Sequence, residues 1–325
     1  MSETITAAQG SGGVETERLI EEVFRAELGN AMLARAEDAA VFSLSGRVAY
    51  STDSFVVTPL AFRGGDIGKL AVCGTVNDLC MMGAQPKYLS AGFILEEGLS
   101  YDTLRAVVRS FGETARAAGV QVAAADTKVV GTGGGMYINT SGLGLIPDGR
   151  DVRADACRAG DRLLVSGNLG DHHACILSHR MGIENEIQSD VKPLVQPVEA
   201  LFRAGVRVRA MRDITRGGLG TVLNELARAS GCGCEVEERA LPMAKETRAL
   251  AQILGLDPFY MGNEGTFLAV VAPEDEARAL EVLREFGNAQ CIGAFHEQAR
   301  VTVRGELGGE RILPPLYGEG LPRIC

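Results

Sequence analysis

Five aspartates interrupt segments of this chain that are otherwise apolar or rich in small residues. They are Asp38, Asp53, Asp78, Asp126 and Asp213. A fold that buries these segments must give each carboxylate a partner, because desolvating an unpaired charge costs more than packing returns. Any one of them is more often a turn or cap residue, but five in such settings favour a shared function. Gathered at one cleft, they predict a Mg2+ site, since this ion takes oxygen ligands and commonly bridges substrate phosphates.

The length of the chain predicts two domains. Its 325 residues exceed one ordinary core. A turn signal, Pro147-Asp-Gly149, follows a strong strand pattern and is the expected boundary. We therefore expect a flexible glycine-rich lead at residues 1–14, an N-terminal domain at 15–148, a C-terminal domain at 149–305 and a mobile tail at 306–325. Both halves mix helix and strand patterns, which predicts a mixed α and β fold of the α+β class.

Hydrophobic periodicity predicts where the helices and strands lie. Helical spacing marks residues 15–28, 66–82 and 219–229, together with a helix capped by Ser100. Strand patterns mark residues 41–42, 48–58, 120–130 and 136–146 in the first half, and 162–166, 266–271, 290–295 and 300–303 in the second.

Composition excludes several classes of function. A net charge of -10 disfavours nonspecific nucleic-acid binding, which draws on clustered Lys and Arg. The polar start and the lack of a run of about 20 apolar residues predict a cytoplasmic protein without a membrane span. The eight cysteines form no CxxC pair, which argues against a zinc ribbon or a disulfide scaffold. A metal-binding or reactive role for Cys232 and Cys234 stays open.

Two glycine-rich segments are candidates for phosphate binding. Gly131–Gly135 precedes a strand pattern, where a nucleotide fingerprint requires a helix, so a hairpin connection is favoured there. The segment from Asp213 leads directly into a helix, and exposed amides at a helix start can hold phosphate. Its candidates are Thr215, Arg216, Gly217 and Gly218. A helix cap explains the same residues about equally well.

Further polar residues are candidates for chemistry. Asn77 precedes Asp78 beside the apolar face of a predicted helix, and Lys128 is placed to neutralise a phosphate. Glu264 is a candidate base or metal ligand, although a turn explains it almost as well. His172, followed by His173, is either a proton carrier or a structural helix-start residue, and the structural role is favoured.

The chain ends on a cysteine carried by an arm. From Glu306 onward, seven glycines and prolines disfavour helix and central strand. The 20 residues of this arm would span roughly 65 to 70 Å when fully extended. A frayed terminus is the ordinary interpretation of such a segment. The terminal thiol of Cys325 instead suggests chemistry carried on its sulfur.

Taken together, these segments resemble the HypE family of hydrogenase maturation factors. These proteins are carbamoyl dehydratases in the superfamily of aminoimidazole ribonucleotide synthetase and selenophosphate synthetase. The resemblance covers nearly the whole chain. It rests on the segments Gly10 to Gly13, Glu37 to Val41, Ser51 to Ser54, Gly74 to Leu79, Ala125 to Lys128, Asp213 to Gly218, Gly262 to Gly265 and Pro322 to Cys325.

The resemblance implies a two-domain aminoimidazole ribonucleotide synthetase-like fold, a homodimer, and ATP with Mg2+ as cofactors. By this similarity the five aspartates would bind Mg-ATP and Lys128 would contact phosphate. Cys325 would receive a carbamoyl group from a HypF-like carbamoyltransferase, and ATP-dependent dehydration would leave a thiocyanate on the sulfur. The cyanide would pass to a HypC-HypD-like complex that builds the iron centre of a [NiFe] hydrogenase. Glu264 is the first choice for the base and His172 the second.

Three residues depart from the family pattern, and two rival functions remain. The family often has His and Met where this chain has Gln9 and Thr16, and usually has Gly at the position of His173. A selenophosphate synthetase would want a reactive Cys or selenocysteine in residues 1–14, which contain neither. A silent scaffold that docks a partner through the tail would show no ATP hydrolysis dependent on Asp78.

Overall fold

Two compact units make up the chain. The computed structural model describes residues 4–11, 13–35 and 39–316. Within these ranges, the contacts assign residues up to Leu79 and Ala84–Pro147 to unit 1, and Cys80–Gly83 with residues 148–316 to unit 2. Each unit combines helices with a sheet, which confirms the mixed α and β fold.

Unit 1 is built on a four-stranded sheet in the order β1-β6-β4-β5. Strand β4 runs parallel to β5 and antiparallel to β6, which in turn pairs antiparallel with β1. A separate short pair, β2 and β3, precedes the first long helix. The strands are β1 (Arg47–Phe55), β2 (Ala61–Phe62), β3 (Gly65–Asp66), β4 (Gln85–Glu97), β5 (Gln121–Thr132) and β6 (Met136–Ile146).

Helices pack on one face of this sheet. The first is α1 (Val14–Leu19), which continues through a π-helical stretch (Ile20–Arg25) into α2 (Ala26–Leu28). The two long ones are α3 (Ile67–Met81) and α4 (Tyr101–Ala117). The predicted cap of α4 is confirmed, because the Ser100 hydroxyl accepts the Thr103 N–H at 3.1 Å.

An aromatic cluster joins these helices to the sheet. Phe93 of β4 is 1 % exposed, and its ring lies 5.0 Å from Phe24 and 5.5 Å from Phe111 in edge-to-face geometry. Such pairs add to the burial of apolar area. Helix α3 lies against α4 at Gly68, where a Cβ would stand 2.3 Å from the Val107 carbonyl oxygen. Glycine is therefore required for this close helix contact.

Unit 2 is built on a seven-stranded sheet in the order β13-β12-β9-β11-β7-β10-β8. Its strands are β7 (Arg162–Val165), β8 (Val208–Asp213), β9 (Gly233–Glu237), β10 (Phe267–Val271), β11 (Gln290–His296), β12 (Val301–Arg304) and β13 (Glu310–Ile312). Its helices are α5 (Asp171–Arg180), α6 (Val195–Arg203), α7 (Gly218–Ser230), α8 (Lys245–Leu254) and α9 (Glu276–Arg284).

The core of unit 2 lies on both faces of this sheet. All five residues of β10 are fully buried. Leu268 and Val270 join a cluster with Leu223 and Leu226 of α7. Because side chains alternate along a strand, the remaining β10 residues face the opposite side and must be covered there as well. The sheet is therefore a central layer, and the ends of its strands are the places left for polar residues.

Some sequence predictions are wrong. Residues 41–42 form no strand. The Gly131–Gly135 loop is not a simple hairpin, because it joins β5 to β6, which lie on opposite sides of β4. The sequence patterns did not predict β4, although it is the longest strand in the described ranges.

No helix in the described ranges has both the length and the apolar character that a membrane span requires.

Replacing Phe93 by Ala tests the aromatic cluster. We expect the free energy of unfolding to fall by about 3 to 5 kcal/mol, because the substitution leaves a cavity beside the rings of Phe24 and Phe111. Urea denaturation followed by circular dichroism measures the change. Val14→Ala is the matched control at a position that is 77 % exposed, and it should change stability by less than about 0.5 kcal/mol. A loss below about 1 kcal/mol for Phe93→Ala would contradict this description of the core.

Candidate functional site

Three polar residues meet where α3 crosses β1. The Ser51 hydroxyl donates to Asp78 Oδ2 at 2.6 Å. Asp53 Oδ2 lies 3.6 Å from the position that a Cβ of Gly74 would take. Gly74 and Asp78 are one helical turn apart and share a face of α3. Asp53 and Asp78 therefore lie on the same side of the sheet, and we refer to Ser51, Asp53 and Asp78 as the Asp78 cluster.

Glycine at position 74 makes this arrangement possible. A Cβ there would stand 2.6 Å from the ring of Phe55. On the same helix the Thr75 and Thr140 hydroxyls lie 2.5 Å apart, and Thr140 also donates to the Ala71 carbonyl at 3.2 Å. These contacts hold α3 directly against the sheet. Asn77 is buried in the same helix, at 3 % exposure.

Asp126 and Lys128 lie on the other face of the sheet. Across the sheet, the residues paired with Asp126 of β5 are Gly92 of β4, Asn139 of β6 and Ser54 of β1. Asp126 is therefore aligned with Ser54, which follows Asp53 in β1. Because adjacent residues of a strand point to opposite faces, Asp126 does not share the face of Asp53. Lys128 Nζ donates to Asp126 Oδ2 at 3.0 Å, and both side chains are mostly exposed. The structure thus divides these predicted ligands between two faces.

A cavity of about 520 Å³ lies in unit 1 beside β5. Apolar side chains from the first helical segment form one wall, among them Ile20, Phe24 and Leu28. The β5 wall runs from Ala123 to Lys128, so the cavity is apolar over most of its length and charged where β5 carries Asp126 and Lys128. This combination suits a ligand with a flat apolar part and an anionic part.

Gln9 and Thr16, two of the departures from the family pattern, hold the N-terminal lead together. The Gln9 side-chain oxygen accepts both the N–H and the hydroxyl of Thr6 at 2.8 Å. The Thr16 hydroxyl donates to the Gln9 carbonyl at 2.8 Å. Thr16 and Gly10 also line the cavity. Residues 6–10 are therefore fixed at the cavity by hydrogen bonds of Gln9 and Thr16.

In unit 2, the predicted phosphate loop lies at the end of β8. Asp213 is the last residue of that strand and is half-buried, while Arg216 is exposed. Gly217 and Gly218 both have positive φ, at 84° and 63°. A Cβ on Gly218 would stand 2.6 Å from the Phe259 carbonyl oxygen, so glycine is needed for both conformation and space.

The Thr215 carbonyl closes this loop. It accepts the Gly218 N–H at 3.0 Å, and α7 begins at that residue. The half-buried Thr215 therefore contributes its backbone to the turn, while the glycines start the helix.

The turn that carries Glu264 lies against this loop. We call residues 262–266 the Glu264 turn. The Asn263 backbone and side-chain N–H groups both donate to the Ile214 carbonyl, at 2.9 and 3.0 Å. Asn263 Oδ1 accepts the Gly170 N–H at 2.7 Å. The structure thus brings Glu264, the Asp213 loop and the start of α5 together at one end of the sheet.

Asp190 completes this group, although the sequence did not single it out. Its Oδ1 accepts the Glu264 N–H at 2.9 Å. Its Oδ2 accepts the Gly265 N–H and the Thr266 hydroxyl, both at 3.0 Å. Burial raises the pKa of Asp190, while these hydrogen bonds act in the opposite direction. The only signal in the sequence is a carboxylate inside a long segment without helix or strand.

Two of the three histidines of α5, His172 and His173, are buried. His172 Nδ1 lies 2.7 Å from the Ser189 hydroxyl, and burial lowers the pKa of His172 to about 3. Burial also lowers the pKa of His173 to about 4, and its Nδ1 accepts the Gly262 N–H at 3.4 Å. A base with so low a pKa takes up protons poorly at neutral pH. His172 is therefore suited to a structural role. His173 is buried as well and is hydrogen-bonded to Gly262.

Two predicted residues, Asp38 and Cys325, lie outside the described residues. Within the described ranges, no group of three or more His, Cys, Asp or Glu side chains is arranged to hold a metal ion by itself. Burial raises the pKa of Cys234 to about 12. This thiol is protonated at neutral pH, which favours a structural role over metal binding or reactivity.

Family models match both halves of the chain. The N-terminal domain of AIR synthase related proteins matches residues 36–146, and the C-terminal domain of the same family matches residues 158–306. Carbamoyl dehydratase HypE of Rhodobacter capsulatus is 46% identical, over 99% of this chain and 98% of that relative. The chain belongs to the HypE family. Hydrogenase expression/formation protein HupE of Azotobacter chroococcum mcd 1 is 47% identical, over 99% of this chain and 97% of that relative.

Solved HypE structures share the fold of this chain. A HypE crystallised in complex with ATP superposes with a TM-score of 0.95 at 43% identity, covering 99% of this chain and 100% of that structure. A HypE-HypF complex matches with a TM-score of 0.81 at 40% identity, covering 92% of this chain and 99% of that chain. The predicted family and its AIR synthase-like fold are thereby confirmed.

The buried histidines predict how stability depends on pH. His172 has a pKa of about 3 in the fold and 6.5 as its ordinary value, so protons bind more tightly to the unfolded chain. The free energy of unfolding should therefore be greatest above pH 6.5. Between pH 6.5 and 3 it should fall by up to about 1.4 kcal/mol per pH unit for this residue.

Urea denaturation at pH 7, 6 and 5 checks this pH dependence. The slope should be smaller in His172→Asn, which keeps a polar group beside Ser189. His179→Gln is the matched control, because it changes an exposed imidazole on the same helix and should keep the slope. Identical slopes in His172→Asn and the unchanged chain would contradict the assignment.

Proposed function

We propose that this chain is an ATP-dependent carbamoyl dehydratase that acts on its own C-terminus. It converts a thiocarbamate on Cys325 to a thiocyanate and so supplies the cyanide ligand for the iron centre of a [NiFe] hydrogenase. The observation that carries the proposal is similarity to a HypE protein named carbamoyl dehydratase over 99% of this chain and 98% of that relative.

The reaction consumes one ATP for each carbamoyl group. The carbamoyl oxygen attacks the γ-phosphorus and ADP leaves. Transfer of one nitrogen proton to a base gives an O-phosphorylated imidate that remains bonded to the Cys325 sulfur. Loss of the second nitrogen proton and cleavage of the C–O bond release phosphate and leave the S–C≡N group. Phosphorylation is required because the amide oxygen is otherwise a poor leaving group, and exclusion of water prevents hydrolysis.

The nucleotide would be held by unit 1. The cavity beside β5 offers apolar walls for the adenine, and Lys128 at its charged part would contact phosphate. The Asp78 cluster would suit Mg2+, since this ion keeps several waters and needs only one or two carboxylates in addition to phosphate oxygens. This cluster lies on the face of the sheet opposite Lys128, so Mg2+ there and Lys128 of the same chain would not contact the same phosphate. Asp53 and Asp78 would supply those carboxylates. When bound, Mg2+ would neutralise charge on the phosphates.

We assign the base to Glu264. Its backbone is fixed on both sides, by Asn263 and Asp190, so the carboxylate starts from a defined position. The alternative, His172, is buried with a pKa lowered to about 3 and is a poor proton acceptor at neutral pH. Asp213, Thr215, Arg216 and the two glycines would serve phosphate or Mg2+ binding from the adjacent loop.

The proposed partners follow from the reaction. A HypF-like carbamoyltransferase would load Cys325, and a HypE-HypF complex is known for a relative at 40% identity. A HypC-HypD-like complex would take the cyanide.

We also propose a homodimer formed through the uncovered face of the four-stranded sheet. This face carries exposed apolar side chains, namely Val48, Tyr50, Ile94, Val130 and Tyr137. Large exposed apolar patches usually mark an interface. A second copy is a suitable occupant, because the same patch on both subunits forms a closed, two-fold symmetric contact.

Phosphate release from the loaded chain tests the proposed function. Asp78→Asn should slow release by about 100-fold or more, because one carboxylate for Mg2+ is lost while the Ser51 hydrogen bond remains possible. Cys325→Ala should abolish release above background, since no thiocarbamate forms. Asp102→Asn is the matched control at an exposed acid of the same unit and should keep the rate of the unchanged chain. Release that is unaffected by Asp78→Asn and Cys325→Ala, or the absence of release from an intact loaded chain, would refute the proposal.

Light scattering during size-exclusion chromatography tests the homodimer. Tyr50→Glu should raise the dissociation constant at least about tenfold, because it places a charge in an apolar contact. The control is Ile253→Glu, which introduces the same charge at an exposed apolar position of unit 2 and should leave the dimer intact. A monomeric unchanged chain, or a Tyr50→Glu dimer of unchanged affinity, would contradict the assignment.

A further inference from the structure

We propose that Asp190 is the positioning residue of Glu264, acting through the backbone of the Glu264 turn to hold the base in its reactive place. This inference rests on the proposed function, since it takes Glu264 to be the base. Asp190 itself need not touch the substrate.

Within the described ranges, the hydrogen bonds of the Asp190 carboxylate go to the Glu264 turn. Its two carboxylate oxygens accept the N–H groups of Glu264 and Gly265 at 2.9 and 3.0 Å, and the Thr266 hydroxyl at 3.0 Å. A planar carboxylate that accepts hydrogen bonds from three consecutive residues fixes both the position and the orientation of the backbone at residues 264–266. The Cα–Cβ bond of Glu264 starts from one of these residues, so its direction is fixed as well.

Close packing makes this attachment specific. A Cβ on Gly265 would stand 1.9 Å from the Asp190 carbonyl oxygen and 2.8 Å from the side chain of Lys192. Residues 189–191, which we call the strap, therefore lie directly against the turn. A side chain at position 265 would push the strap and the turn apart.

The strap is itself anchored away from the turn. The Ser189 hydroxyl lies 2.7 Å from His172 Nδ1 and accepts the Val191 N–H at 3.1 Å. Because the His172 ring is fully buried in α5, the strap is fixed to a rigid helix. Asp190 thus transmits the position of α5 to the turn, and His172 gains a defined structural role.

The strap meets a requirement of the proposed reaction. Glu264 must remove protons from a small amide nitrogen, and displacement of a catalytic group by about 1 Å can cost about 100-fold in rate. The Glu264 turn has no helix or strand of its own before β10 begins at Phe267. A carboxylate clamp supplies the rigidity that secondary structure does not supply here.

Asp190→Asn in the full-length chain tests the inference. An amide keeps the size of the side chain but has one acceptor oxygen, so it cannot accept from all three donors. We expect the single-turnover rate of dehydration to fall by about 10- to 100-fold, with an unchanged KM for ATP. Asp161→Asn is the matched control, because Asp161 is also buried and accepts the Arg158 N–H at 2.8 Å. Asp161 directly precedes the first residue of β7 and makes no hydrogen bond to the Glu264 turn among those that the described residues show.

A double-mutant cycle separates positioning from mere stabilisation. If Asp190 acts through Glu264, Asp190→Asn should slow the reaction no further once Glu264→Gln is present. If the rate losses of Asp190→Asn and Glu264→Gln are additive in the double variant, the inference is overturned. It is also overturned if Asp190→Asn and Asp161→Asn lower the rate equally and lower the melting temperature equally. A Glu264→Gln chain with the unchanged rate would instead refute the base assignment of the proposed function, and the positioning role with it. Wild-type turnover by Asp190→Asn beside a slow Glu264→Gln would overturn the positioning role alone.

Discussion

The close approach of α3 to the four-stranded sheet is the constraint on which the geometry of unit 1 depends. Gly74 leaves room for Phe55 where a Cβ would stand 2.6 Å from its ring, and Thr75 is hydrogen-bonded to Thr140 across the same contact. With the helix held there, Asp78 reaches the Ser51 hydroxyl at 2.6 Å. A larger residue at position 74 would lift the helix and separate Asp78 from β1. The proposed Mg2+ site is therefore a consequence of packing.

In unit 2, side-chain hydrogen bonds fix the position of the candidate base. The catalytic candidate there lies on a turn whose backbone bonds lie on either side of Glu264, from Asn263 N–H to the Ile214 carbonyl and from Ile214 N–H to the Thr266 carbonyl. The side chains of Asn263 and Asp190 add further hydrogen bonds to this turn. Both groups are hydrogen-bonded on more than one atom, which compensates the cost of burying them. Side chains thus fix the backbone at the point where Glu264 must be placed accurately.

The sequence predicted the periodic elements and several site residues, but not their arrangement. Helix α4 and its Ser100 cap follow from local patterns, since capping and apolar spacing act within a few residues. Strand β4 escaped prediction because Pro86 and Gly92 are turn formers, and only pairing with two neighbours makes the segment extended. Asp190 was not predicted as a site residue, because its hydrogen-bond partners lie more than seventy residues away in the sequence. The division of Asp53 and Asp126 between two faces depends on sheet register, which no single segment encodes.

The central claim is that ATP-dependent dehydration takes place on the terminal thiol. Intact-mass spectrometry of the C-terminal peptide tests it most directly, after loading with a carbamoyltransferase and carbamoyl phosphate, with and without Mg-ATP in the second step. The account predicts a carbamoyl adduct on Cys325 that loses one water only when Mg-ATP is present. An adduct that keeps its mass in the presence of Mg-ATP, or a Cys325 that stays unmodified beside a verified active transferase, would contradict it.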